Sequence, residues 1–186
     1  MNAKLAGFIF GMLAAGTANA VVVADLEDVT NGGGFFAKVT IADIVGGVKV
    51  TADIADPINV GLTKGDILGL GLHISDEILL PLTIANNGNE DPLGIITGTC
   101  QTANGCDLFN GGAGSPGTGF DITVDLGING SAAGFIQTLM FEMSDVGLTA
   151  MNFADQTIGM RVQSIEGTTF ASGSSKLIGD GPATPP

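Results

Sequence analysis

The chain has 186 residues, 45% hydrophobic and 13% charged, with 30 Gly, no Trp and no Tyr. That length suits one domain and that apolar share builds a core, which excludes a wholly disordered chain. Lys and Arg number 6 against 19 Asp and Glu, for a net charge of −13, with one His and two Cys. So acidic a chain lacks the basic footprint of a nucleic-acid binder and is repelled by anionic lipid. It also holds little material for a metal centre or a nucleophile–base pair.

Residues 1–20, MNAKLAGFIFGMLAAGTANA, have the three parts of a secretory leader in order. Lys4 is the basic start, residues 5–15 are the apolar run, and Ala18-Asn19-Ala20 is the small-residue cleavage site. The plain alternative is a short buried helix. The run falls short of the ~20 apolar residues of a membrane span, and no later stretch reaches that length without a charge. The sequence therefore predicts a mature chain from Val21, secreted, with no membrane span.

From there apolar residues recur at period two, the signature of half-buried strands. Residues 35–41 predict a strand with Phe36 and Lys38 on one face. Gly46-Gly47 marks a hairpin turn. Residues 48–54 put Val48, Val50, Ala52 and Ile54 inward, and residues 67–74 put Leu68, Leu70, Leu72 and Ile74 inward. The opposite face of that second strand carries Gly69, Gly71 and His73, and glycine within a strand signals a bulge or a close approach. Residues 78–84 contain Pro81, which confines them to an edge strand or an irregular segment. A short strand over 93–97 leads to the two cysteines. Residues 120–126 alternate with Asp121 and Asp125 outward, and residues 135–143 are apolar on both sides, as a central strand is. Brief helical spacing at 149–154 precedes a strand over 157–165, with Ile158, Met160 and Val162 inward. Residues 172–186 are small and polar, ending Gly181-Pro182-Ala183-Thr184-Pro185-Pro186, a linker-like composition.

The expected organisation is a leader over 1–20, a β domain over 21–171 and a flexible Ser/Gly/Pro tail over 172–186. The expected fold is all-β: an antiparallel β-sandwich, jelly-roll-like or immunoglobulin-like, of about eight or nine strands.

Cys100 and Cys106 flank Asn104-Gly105, a strong turn dipeptide. In an exported protein this spacing points to a disulfide closing a small loop. A zinc or redox pair is the alternative. Asn86, Asn87, Asn89, Glu90 and Asp91 form a run of hard oxygen ligands, which suits a weak extracellular Ca²⁺ site or an ordinary solvated turn. Asp53, Asp56 and the Asp76-Glu77 pair are further oxygen donors should their loops converge. His73 has Ser75 two residues away on the same strand face, a pair that means catalysis only with an acid beside it in space. No nucleophile elbow, HExxH, phosphate loop or dinucleotide fingerprint occurs.

Several segments together resemble a known family. They are Asp28-Val29-Thr30-Asn31-Gly32 with Gly34-Phe35-Phe36-Ala37, Thr51-Ala52-Asp53-Ile54, and Asp56-Pro57-Ile58-Asn59-Val60-Gly61-Leu62-Thr63. Asp66-Ile67-Leu68-Gly69-Leu70, Ile74-Ser75-Asp76-Glu77, Gly159-Met160-Arg161-Val162-Gln163-Ser164-Ile165-Glu166-Gly167 and Ala171-Ser172-Gly173-Ser174-Ser175-Lys176-Leu177 complete the set. The chain resembles secreted bacterial proteins, common in cyanobacteria and other Gram-negatives, that carry a PEP-CTERM sorting signal for an exosortase. That family typically continues into a Pro-Glu-Pro motif, a membrane-spanning segment and a basic end; residues 178–186 contain none of these. The resemblance implies a role in the exopolysaccharide or biofilm matrix.

The expected function is an exported, non-catalytic structural or interaction protein of the extracellular matrix or cell surface. Its expected partners are exopolysaccharide, other surface proteins or copies of itself, with no nucleic acid. The alternative is a Ca²⁺-assisted glycan- or ligand-binding module.

Overall fold

The computed structural model describes residues 19–30, 34–55, 57–76, 79–85, 96–109, 118–126, 135–168 and 173–182. Alternating residues shape the strands β1 (Val21–Asp28), β2 (Phe36–Ile44), β3 (Gly47–Asp53), β4 (Leu62–Leu72) and β5 (Thr83–Ala85). They are followed by β6 (Ile96–Asp107), β7 (Thr118–Leu126), β8 (Thr138–Ser144), β9 (Thr157–Gly167) and β10 (Gly173–Asp180). A 3₁₀ turn, Ala150–Phe153, falls where the helical spacing predicted one.

All ten strands join one antiparallel sheet in the order β5-β8-β3-β2-β1-β10-β9-β4-β7-β6, curled into a half-barrel. Most inward residues read from the sequence line its inner face: Val48, Val50, Ala52, Ile54, Leu70, Leu72, Ile158, Met160 and Val162 are all 0% exposed. Leu68, also expected inward, falls at a bulge between Ile67 and Gly69 and lies outside the core cluster, which takes Ile67 instead. Each such aliphatic side chain contributes about 1.5–3 kcal/mol by leaving water. One cluster on this face collects residues from β1 to β10, so the curl encloses a common core.

Two seams hold the curl. Segment 135–137 bridges β3 and β4: Ile54 N donates to Gln137 O at 2.9 Å, and Ile67 N donates to Ile136 O at 2.8 Å. At the rim, the Gln101 amide of β6 accepts from Leu82 N at 2.6 Å and donates to Leu82 O at 2.9 Å. Leu82 immediately precedes β5, so one side chain ties the two outermost strands together.

The structure corrects several boundaries. Residues 173–180, expected within a flexible tail, are β10, sixth in the sheet and paired to both β1 and β9. Leu177 and Ser175 face the core at 0% and 2% exposure; the long ladder to β9 and a short one to β1 order a segment whose own composition is weak. Residues 183–186 lie outside the described residues. The strand expected over 135–143 begins at Thr138 and lies next to the edge, because residues 135–137 leave to make the seam. β5 does take the edge, with a cis Leu80–Pro81 bond before it. The β2–β3 turn is Val45-Gly46, closed by the Ile44–Gly47 pair; Gly46 supplies a φ of +83° at its second residue, a conformation that favours glycine.

Candidate functional site

The outer face of β7-β4-β9-β10 carries Asp125, Arg161 and Lys176, with His73 and Asp121 at its end. Strand register sets it out in rows. Lys176, Arg161, Gly69 and Asp125 stand side by side across the four strands, and Ile178, Gly159, Gly71 and Thr123 form the next row.

The strand glycines make room. A Cβ at Gly71 or Gly159 would come within 2.5 Å of the Phe120 ring, and one at Gly69 within 2.9 Å of Leu108. Leu108, Phe109 and Phe120 thus form a second apolar cluster on the outside of the sheet, with Ile178 packed against it. The close approach that the glycines signalled is this one. Residues 108–109 reach the face because the Cys100–Cys106 disulfide clamps the base of an excursion in β6. Across that excursion the pairing jumps from Gln101–Ile122 to Cys106–Phe120. The disulfide predicted from the sequence is present.

His73 stands at the end of β4 beside this cluster, its ring centroid 5.1 Å from that of Phe120. Its Nδ1 lies 3.1 Å from Asp121 Oδ2, which also accepts from Ile74 N at 2.9 Å. A carboxylate only accepts, so in this contact Nδ1 of the imidazole is the donor. Asp121 is 6% exposed, and two bonds hold it, so the imidazole is oriented. The acid that the His73–Ser75 pair lacked in sequence is therefore supplied by β7. The pair still does not make a nucleophilic site: Ser75 is fixed through its backbone N, which donates to Asn152 O, and no hydrogen bond joins its hydroxyl to His73.

Arg161 and Lys176 face each other directly across β9 and β10. Lys176 Nζ lies 5.4 Å above the Phe109 ring. Neither forms a salt bridge among the described residues, whereas Lys38 and Lys64 are paired with Asp25 and Glu166. Two like charges opposite each other are destabilising, and in a chain of net charge −13 their lack of carboxylate partners stands out.

The proposed Ca²⁺ ligands Asn86, Asn87, Asn89, Glu90 and Asp91 lie outside the described residues, as do Asp56 and Glu77. Asp53 is occupied in its own turn, accepting from Ala55 N at 2.8 Å and from the Thr138 hydroxyl at 3.2 Å. Among the described residues no group of three or more His, Cys, Asp or Glu is placed to hold a metal ion, and no helix is long and apolar enough to cross a membrane.

Sequence reasoning missed the His73–Asp121 contact and the Arg161–Lys176 pair. Alternation put His73, Asp121 and Arg161 outward on their own strands and left Lys176 in the expected tail, but neighbourhood depends on register between β4 and β7 and on the existence of β10. No protein-family model matches the chain, and neither a curated protein nor a solved structure matches it.

Proposed function

We propose that this chain is an exported, non-catalytic interaction protein of the extracellular matrix or cell surface, which makes contact through the outer face of β4, β9 and β10. The observation that carries the proposal is the Arg161–Lys176 couple, without a salt bridge among the described residues, beside a packed apolar cluster. A binding face needs such local cations in an otherwise anionic protein, because at physiological salt charges act over ~8 Å and the net repulsion is screened beyond that. Three features support export. The leader has all its parts, the chain contains a disulfide, and β1 begins at Val21, so removal of residues 1–20 leaves every described strand whole. In this reading the two halves of the curled sheet, drawn together at Gln101 and at segment 135–137, serve as the layers of a sandwich. The resemblance to exosortase-sorted proteins supplies the context: acidic exopolysaccharide as partner.

Co-sedimentation with isolated acidic exopolysaccharide tests the reading. The wild-type protein should be retained at low salt and released by 0.5 M NaCl, and Arg161→Gln with Lys176→Gln should abolish retention without lowering the melting midpoint. Equal retention of wild type and double variant would remove the face from the account. A hydrolase activity lost in His73→Ala would replace the non-catalytic reading. A midpoint raised by CaCl₂ over EDTA, and not by MgCl₂, would favour the Ca²⁺-assisted alternative.

A further inference from the structure

On the opposite half of the sheet, a shallow cleft of about 500 Å³ is lined by residues that include Asn19, Asp43 and Asp145. Its lining contains two carboxylates and no cation. Asp43 is the organising group. Its Oδ2 accepts from Ala20 N at 2.8 Å, and its Oδ1 accepts from Ala150 N at 2.6 Å, at the first residue of the 3₁₀ turn. Its own N donates to Ala20 O at 3.0 Å. One carboxylate therefore fastens the residue before β1 to the 3₁₀ turn.

Ala20 is the residue that export processing would remove. Hydrolysis of the Ala20–Val21 bond by a leader-cleaving protease adds one water: the leader leaves with a carboxylate on Ala20, and Val21 keeps a new α-amine, protonated at neutral pH. Asp43 then loses its Ala20 N–H donor, and its own N loses the Ala20 O acceptor. The new cation at Val21 N forms one residue along the chain, within ~3.7 Å of the Ala20 N position by standard bond lengths, and rotation of the freed terminus brings it to the vacated Oδ2.

We infer that Asp43 is the receptor for the α-ammonium of mature Val21. Processing exchanges a neutral amide donor for a charged one, and charge-assisted hydrogen bonds are shorter and about twice as strong. The leader-bearing chain thus holds the junction of β1, β2 and the 3₁₀ turn with a weaker bond than the mature chain does. The charged surroundings agree. Asp145, in the same cleft, adds a second negative charge. The 3₁₀ turn is Ala-Met-Asn-Phe and brings none. The neighbouring cation on β3 is Lys49, in register with Ala42, whereas Asp43 faces Val48.

This inference rests on the export reading, and the experiment separates the two. The exported protein is recovered and its N-terminus read by mass. The pKa of the α-amine is then measured from the pH dependence of its acetylation, in the folded protein and in urea. An unperturbed α-amine titrates at about 7.7–8.0. Pairing with Asp43 should raise the folded value so that the terminus reacts about tenfold more slowly at pH 7 than in urea, and Asp43→Asn should restore the faster rate. Should Asp43→Asn fail to fold, the wild-type comparison still decides, because burial without a partner lowers an amine's pKa whereas ion pairing raises it. A folded value equal to or below the value in urea overturns the inference alone. A terminus other than Val21 overturns the cleavage point and the inference with it.

Discussion

Asn59 shows how one side chain sets local structure. It is 1% exposed and makes three backbone hydrogen bonds, accepting from Phe36 N and donating to Phe36 O and Ile54 O. It joins the start of β2 to the end of β3. Asn59→Ala would leave buried backbone groups unpaired, so we expect a loss of about 2–4 kcal/mol, read from the urea midpoint. In sequence Asn59 was one letter of a motif, because nothing in a linear pattern shows which backbone groups an amide will meet. Asp66 is the converse case. Burial at 6% exposure pushes its carboxyl above the usual carboxylate range, against the hydrogen bonds from Ile136 N and the Gln163 side chain. The folded state therefore holds this proton to higher pH than the unfolded chain does, and the contribution of Asp66 to stability falls as pH rises through that window. Asp66→Asn keeps an acceptor for Ile136 N and discards the buried charge. It should melt above wild type at pH 7, with the difference vanishing below about pH 4. An unchanged pH profile would contradict the account.

Among the elements, the edges matter most. A sheet edge offers unpaired N–H and C=O groups that invite further strands. Here β5 is only three residues long, and Gln101 spends its whole amide on Leu82 at the other rim. Gln101→Ala should cost about 1–3 kcal/mol. The loss should be local: hydrogen exchange at Leu82 and along β6 should quicken while β1–β3 amides keep their protection. Uniform quickening would mean that the seam belongs to the global fold. The disulfide acts on the same strand at another point, holding the ends of the 102–105 excursion so that Leu108 and Phe109 reach the glycine-floored face. Both cysteines and the Asn104-Gly105 turn were legible in sequence. The role of Gln101 was not, since its partner is a backbone segment nineteen residues earlier.

At the scale of the whole molecule, the decisive elements are β1 and β10. They are fifth and sixth in a ten-strand order and pair with each other, joining the two halves of the sheet. Neither was read as a strand from the sequence, although Val21-Val22-Val23 favours one. β1 runs on from the leader, and β10, Gly-Ser-Ser-Lys-Leu-Ile-Gly-Asp, reads as linker. A chain cut after residue 172 should therefore fail to fold, with sheet signal lost in circular dichroism. A folded, cooperative truncation would return β10 to the status of a tail. The buried Ser175 hydroxyl, which has no hydrogen-bond partner among the described residues, shows that β10 is held by its neighbours' ladders more than by its own side chains.

The sequence by itself determined the class and the inward faces. Period-two alternation is a property of each strand alone, and burial of one face follows from it wherever the strand is placed. It likewise determined the disulfide, because six positions of chain and a turn dipeptide bring the two sulfurs together locally. Strand order, the curl, the seam at Gln101, the His73–Asp121 contact and the Arg161–Lys176 couple were decided only by the tertiary structure. Each depends on pairing between segments far apart in the chain, whose free energy is shared by the whole sheet and is written in no single stretch of residues.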